Sequence, residues 1–401
     1  MRVSTAQFYF QSTQQFGGLQ TKVNEHAEHL SSGKRIMTAK DDAVAFGTLA
    51  GLKEGQSSID KYQRNIIQAE NRNTLQDISF SSAEDVMQQL KQTFIQANNG
   101  SLSDDDLTAL GALAKNALEE LLNIANTTDE TGGYIFSGYQ VDDTPFVMQT
   151  DNTVNYLGDG GVRELQIAKN VMVDMNQSGD AAFLKVANTK GDFSTQYNAN
   201  TSGISVNSAV INDPSTYDTL NNPPGYNFNF TSATDLNVTD SLGNPVFTTN
   251  AYAPGQTIAF NGVEVKLSGN PLPADDFTIT PAEDISVFDT VKGVMDWINT
   301  GTSPANPTQH SVDYQVLLEQ LDQATSHMTT GRVGAGVRLN LIENQESNHL
   351  DTELYLAKGV SAIEDLDFAK TAADFERSKF SLQAAQQTFV QIKNLSLFNY
   401  L

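Results

Sequence analysis

Near the start of the chain, Phe16, Leu19, Val23, Ala27 and Leu30 recur at three- and four-residue intervals, the spacing of one face of an α-helix. Near its end, Phe368, Ala372, Phe375, Leu382, Phe389 and Ile392 keep a heptad step. Each stripe is too narrow to form a core alone, and such a helix takes most of its stability from a partner. The pattern predicts that the two ends pair as a coiled coil. Phe16, Leu19, Val23 and Leu30 then form one side of an assembly interface, and Phe368, Phe375, Leu382, Phe389 and Ile392 the other. Read from periodicity alone, ordinary packing within one bundle explains the stripes equally well.

Between the ends the period changes twice. The first helix runs from about Thr5 to Leu30, closed by Ser31-Ser32-Gly33, with Lys34 to Met37 as an extended spacer. Asp41-Asp42 opens a second helix that reaches about Asn98, and Ser103 to Asp106 caps a third that ends near Asn126. From Thr131-Gly132-Gly133 onward, Tyr134 to Phe136 and Thr153 to Tyr156 read as strands. Residues 191–285 are rich in Asn, Thr, Ser, Gly, Pro and aromatics, with alternating runs at Tyr226 to Phe230, Thr257 to Phe260 and Val263 to Leu267. Helical patterning returns at Val287 to Ile298 and from Val312 to about Lys358, and Gly359 separates off the terminal helix. The fold class expected is mainly α with an inserted β domain. Residues 1–40 and 359–401 give the coiled-coil terminal domain. Residues 41–180 and 286–358 give a helical-bundle middle domain with a β-hairpin, and 181–285 an outer all-β domain.

Composition narrows the functional classes. A formal charge of −24 argues against nucleic acid or an anionic membrane as partner, since both require a basic face. With no Cys there is no disulfide framework, thiolate metal site or thiol nucleophile. The opening Met1 to Ser12 lacks the apolar stretch of a cleaved signal peptide, and no run is long enough to span a bilayer. His26 and His29 share a helix face, but metal binding needs further ligands that no second motif supplies. Asp41 and Asp42 are adjacent and diverge on a helix, Gly158 to Gly161 reads as a turn, and lone Trp297 reads as core. No catalytic residue, metal site or cofactor is expected.

Short motifs at the two ends then resemble one family. His29-Leu30-Ser31-Ser32-Gly33-Lys34-Arg35-Ile36 with Asp41-Asp42-Ala43, and the Arg64-Asn65 pair, are similar to the N-terminal signature of flagellin-type proteins. Gly331-Arg332-Val333-Gly334-Ala335-Gly336-Val337-Arg338-Leu339 and Ile363-Glu364-Asp365-Leu366-Asp367-Phe368-Ala369 resemble its C-terminal signature. The opening Met1 to Thr5, the stretch after Asn65 and the closing Leu395 to Leu401 depart from filament flagellin toward the hook-associated branch. The resemblance implies a structural subunit of the bacterial flagellum, secreted without a cleaved signal, in the layer that joins hook to filament. It implies self-association in a ring or helical layer, contacts with a neighbouring hook-associated protein and flagellin, and passage through the type III export apparatus with a chaperone. Filament flagellin is the near alternative. A secreted ligand-binding protein acting through its acidic β insert is the alternative from another class.

Overall fold

Hydrophobic periodicity places most elements, and the structure, a computed structural model, describes residues 3–217 and 225–394. The chain divides into two compact units: a terminal unit, Met1–Arg64 with Asn344–Leu401, and a central unit, Asn65–Glu343. The boundaries fall inside two long helices, α2 (Ala43–Ala97) and α5 (Pro307–Glu364).

The terminal unit consists of α1 (Val3–Ser32), the first part of α2, the last part of α5, and the terminal helix Phe368–Asn394. Gly359 does not break α5, contrary to the sequence reading; the break falls at Asp365 to Asp367. A glycine inside a helix costs only about 1 kcal/mol relative to alanine. Here the missing side chain admits Leu52 of α2, whose Cδ1 would sit 3.3 Å from a Cβ at position 359. Leu356 packs in the same way over Gly55.

In the central unit the rest of α2 and α5 pack with α3 (Asp104–Ala125) and, beyond the β elements, a helix at Val287–Asn299. On α3, Leu107, Leu110, Ala114, Leu118 and Leu121 are all buried, as a three- and four-residue stripe requires. Ser103 caps it, its hydroxyl accepting from Asp106 N at 3.2 Å while Asp106 Oδ2 accepts from Ser103 N at 3.0 Å. The segment Tyr134 to Phe136, read as a strand, is irregular apart from a single bridge between Thr128 and Tyr134. Its apolar run marks burial instead, with Ile135 and Phe136 fully inside the helical core. Two hairpins follow, β1 (Phe146–Met148) with β2 (Val154–Tyr156), and β3 (Glu164–Ala168) with β4 (Val171–Asp174). Ile167 and Val173 of the second hairpin pack on Ile66 and Ala69 of α2 and Ile342 of α5.

The β insert is entered and left through the short pair β5 (Val186–Ala187) and, at its far end, Asp284–Ile285. Its strands are β6 (Phe193–Ala199), β7 (Ser205–Ile211), β8 (Tyr226–Phe230), β9 (Leu236–Asp240), β10 (Pro245–Thr249), β11 (Thr257–Phe260), β12 (Val263–Ser268) and β13 (Asp276–Pro281). They form two antiparallel sheets, ordered β10-β9-β8-β13-β6 and β11-β12-β7. Alternation decides the inner face: Tyr226, Phe228 and Phe230 are buried while Asn227 and Asn229 are only half-buried. Phe228 lies opposite Phe277 in register, their rings stacked at 4.6 Å. The two-residue strand β14 (Asp284–Ile285) then leads into α4 (Val287–Asn299). Helix α5 starts at Pro307, earlier than its apolar pattern suggests, because proline suits the first turn, where no N–H partner is needed. The last helix is α6 (Phe368–Asn394).

Candidate assembly site

The terminal motifs meet in three dimensions. Helix α1 ends with Gly33 at φ +69°, a left-handed conformation that glycine adopts without steric cost, and Gly33 N donates to His29 O at 2.9 Å. A side chain there would also approach the Phe368 ring, which lies 3.4 Å from an ideal Cβ. Turned by Gly33, the chain runs beside the α5–α6 break. Arg35 N donates to Glu364 O at 2.7 Å, and Leu366 N to Gly33 O at 3.1 Å. The Arg35 guanidinium closes on Ile363 O through Nε (3.1 Å) and Nη2 (2.7 Å). Ile36 is buried beneath, at 2% exposure.

Charge completes this clamp. Glu364, 7% exposed, receives Lys34 Nζ at 2.7 Å and Lys53 Nζ of α2 at 2.8 Å on one carboxylate oxygen. Those two hydrogen bonds hold its carboxyl below the usual glutamate range. Asp41 Oδ2 accepts from the amides of Met37 (3.0 Å) and Thr38 (2.9 Å), fixing the spacer and lowering its own pKa. Asp42 Oδ1 accepts from Val44 N and Ala45 N and so caps α2. Asp367 does the same for α6 through Lys370 N, and Asp365 bonds the Ser361 hydroxyl. Ser31 and Ser32 are exposed, and Ser32 Oγ donates to His29 O. Because Glu364 titrates below its unfolded value, the clamp is fully held above about pH 4.5 and weakens as pH falls through the lowered folded value. Protection of the Arg35 and Leu366 amides, corrected for intrinsic exchange rates, should therefore drop on acidification in the native chain. Glu364→Gln should flatten that dependence, and an identical acid profile in the variant would refute the assignment.

The helical stripes also converge. Helix α6 runs antiparallel along α1, with the Phe389 ring 5.3 Å from Phe16, 5.4 Å from Tyr9 and 6.2 Å from Phe8. Only Leu382 on the stripe is buried; Phe16, Leu19, Val23, Leu30, Phe375 and Phe389 are half-buried. Phe368 stays 57% exposed, and the Ile392 side chain lies outside the described residues. Phe10 and Phe380 stand open at 65% and 72%. The pair thus covers one seam and leaves large apolar side chains uncovered at Phe10, Phe368 and Phe380.

The remaining motif residues lie apart from the clamp. Arg64 is exposed on α2. In the central unit, Asn65 Nδ2 donates to Gln166 O at 2.7 Å, tying α2 to the second hairpin. Arg332 lies 3.5 Å from both Asp77 and Glu84, Ala335 is fully buried, and Gly334 meets only the Arg338 side chain. Arg338, the second arginine of the same motif, reaches Asn73 Oδ1 (2.5 Å) and Gln76 Oε1 (3.2 Å) from α5; sequence reasoning did not single out those two amides. Both amides bond onward to the backbone at the end of β4, at Asp174 O and Met175 O. Polar residues three apart inside an apolar helix face were the available signal. Lys53 had none.

The model of the bacterial flagellin N-terminal helical region matches residues 3–141, and that of the flagellin C-terminal helical region matches 318–401. The chain belongs to the flagellin-like family. Within it the chain is 23% identical to flagellar hook-associated protein 3 of Escherichia coli (strain K12), over 99% of each. The Xanthomonas campestris FlgL structure superposes with a TM-score of 0.63 at 27% identity, covering 77% of this chain and 99% of that one. The flagellar junction protein FlgL from Legionella pneumophila gives a TM-score of 0.62 at 28% identity, covering 79% and 100%.

Proposed function

We propose that this chain is a structural subunit of the bacterial flagellum, assembled in a ring or short helical layer that joins hook to filament. The observation that carries the reading is the α1–α6 pair, in which Phe16 packs on Phe389 and Leu382 is buried while Phe10 and Phe380 remain exposed. A heterologous contact repeated about an axis closes such a surface by building rings or tubes. The residues Phe16, Leu19, Val23, Leu30, Phe368, Phe375, Leu382, Phe389 and Ile392 form the assembly surface in this proposal. The partners are further copies, a neighbouring hook-associated protein and flagellin, and before assembly a chaperone and the type III export apparatus. The site of action is the flagellum outside the cell, and the role is mechanical, with no reaction catalysed.

Electron microscopy of cells lacking the gene tests this. Bare hooks with flagellin shed to the medium are the expected result. Hooks still bearing filaments of normal length would overturn the junction role.

A further inference from the structure

One feature of the central unit lies outside the assembly surface. Helices α4 and α5 leave a groove of about 360 Å³ between them, lined by Trp297, His310, Val316 and Leu317. Gly293 sets its width: a Cβ there would lie 2.8 Å from Leu317 Cδ2, so the helices approach closely at the groove's end. Trp297 is locked in place, its Nε1 donating to His310 O at 2.8 Å and its ring stacked on His310 at 4.0 Å. Each wall contributes one carboxylate, Asp296 from α4 and Asp313 from α5.

The two carboxylates differ in a telling way. Asp296 already holds Lys292 at 2.5 Å. Asp313 is half-buried and accepts only a neutral hydrogen bond, from Gln309 Nε2 at 2.6 Å; among the described residues no lysine or arginine forms an ion pair with it. Its burial raises its pKa, with His310 the only charge opposing that shift. A carboxylate held against apolar surface without a cation pays desolvation that a cation can return. The groove therefore offers apolar floor for an alkyl stem and, at its side, an unneutralised acid.

From this charge complementarity we propose that the α4–α5 groove receives an arginine side chain of a protein partner, its stem on the half-buried Val316 and Leu317 and its guanidinium on Asp313. Arginine suits the site better than lysine because its planar, weakly hydrated head bonds a carboxylate bidentately. The proposal does not depend on the junction role.

Trp297 is the only tryptophan in the chain and lines this groove, so its emission is sensitive to occupancy here, and the Asp313 variant assigns the response to the groove. The test titrates the full-length protein with N-acetyl-arginine amide at fixed ionic strength. A saturable change in emission is expected, together with no response to the neutral isostere N-acetyl-citrulline amide. Asp313→Asn should weaken the response about fivefold or more, the order expected for one partly exposed ion pair. Asp296→Asn serves as a second variant should the first misfold, with a smaller loss expected because Lys292 already occupies that acid. No saturable change, an equal response to the citrulline probe, unchanged affinity in both variants, or binding of spermidine in place of the arginine probe would each overturn the proposal.

Discussion

With Phe389 replaced by aspartate, the two terminal helices come apart and the subunit no longer enters the flagellum. The ring of Phe389 contacts Phe8, Tyr9 and Phe16 together, and aromatic pairs of this kind are worth roughly 0.5–1.5 kcal/mol each beyond area burial. Aspartate removes all three and places a charge in the seam, which it can occupy only by drawing in water. Among the described side chains little else holds α1 and α6 together, since Leu382 is the only one of the stripe there that is buried. A helix in a folded protein takes most of its stability from tertiary packing of its apolar face, so the 30-residue α1 and the 27-residue α6 lose order when unpaired. The measurable result is a drop in far-UV helical signal of the free chain together with loss of motility in a complemented deletion strain. Phe389→Leu, which keeps an apolar knob, should retain most of both. Full helicity and normal motility in the aspartate variant would show that the α1–α6 seam carries neither folding nor assembly.

The terminal pairing was legible because heptad spacing is a property of the chain itself, and Phe16 and Phe389 indeed face each other. The clamp was legible only in part. Gly33 and Asp42 announce a helix end and a helix start from local rules. That Arg35 reaches Ile363, 328 residues away, is written in no local pattern and follows from where α5 happens to stop. The stop itself was misplaced because Gly359 reads as a breaker in one dimension, while in three it is the gap that Leu52 fills. Tyr134 to Phe136 show the reverse case. Three apolar residues between glycines satisfy a strand template, but their hydrogen bonds go to Thr127 O and Val141 O in a loop that plugs the core. The order of strands in the β insert was out of reach, since alternation assigns a face and says nothing of the neighbour.

The central unit should prove most sensitive at Phe183. This side chain sits in the π-helical turn Asp180–Leu184 and is fully buried, with the rings of Phe136, Phe146, Phe288 and Phe80 at 5.1, 5.5, 5.7 and 6.4 Å. Those partners come from α2, α4, β1 and the Tyr134–Phe136 loop, so one residue joins segments remote in sequence. Phe183→Ala removes the shared contact and leaves a cavity whose walls belong to four elements that cannot all close on it. The expected cost is about 3–5 kcal/mol, a large fraction of the roughly 5–15 kcal/mol that holds a folded domain together. For a unit of this size that corresponds to a fall in Tm of roughly 6–20 °C. Leu242→Ala, at a residue 76% exposed, is the control and should stay within about 0.5 kcal/mol of the native chain. Thermal melts of the two variants, read on the emission of Trp297 in the same core, decide the matter: similar midpoints would mean that the phenylalanine cluster is not the keystone its geometry makes it.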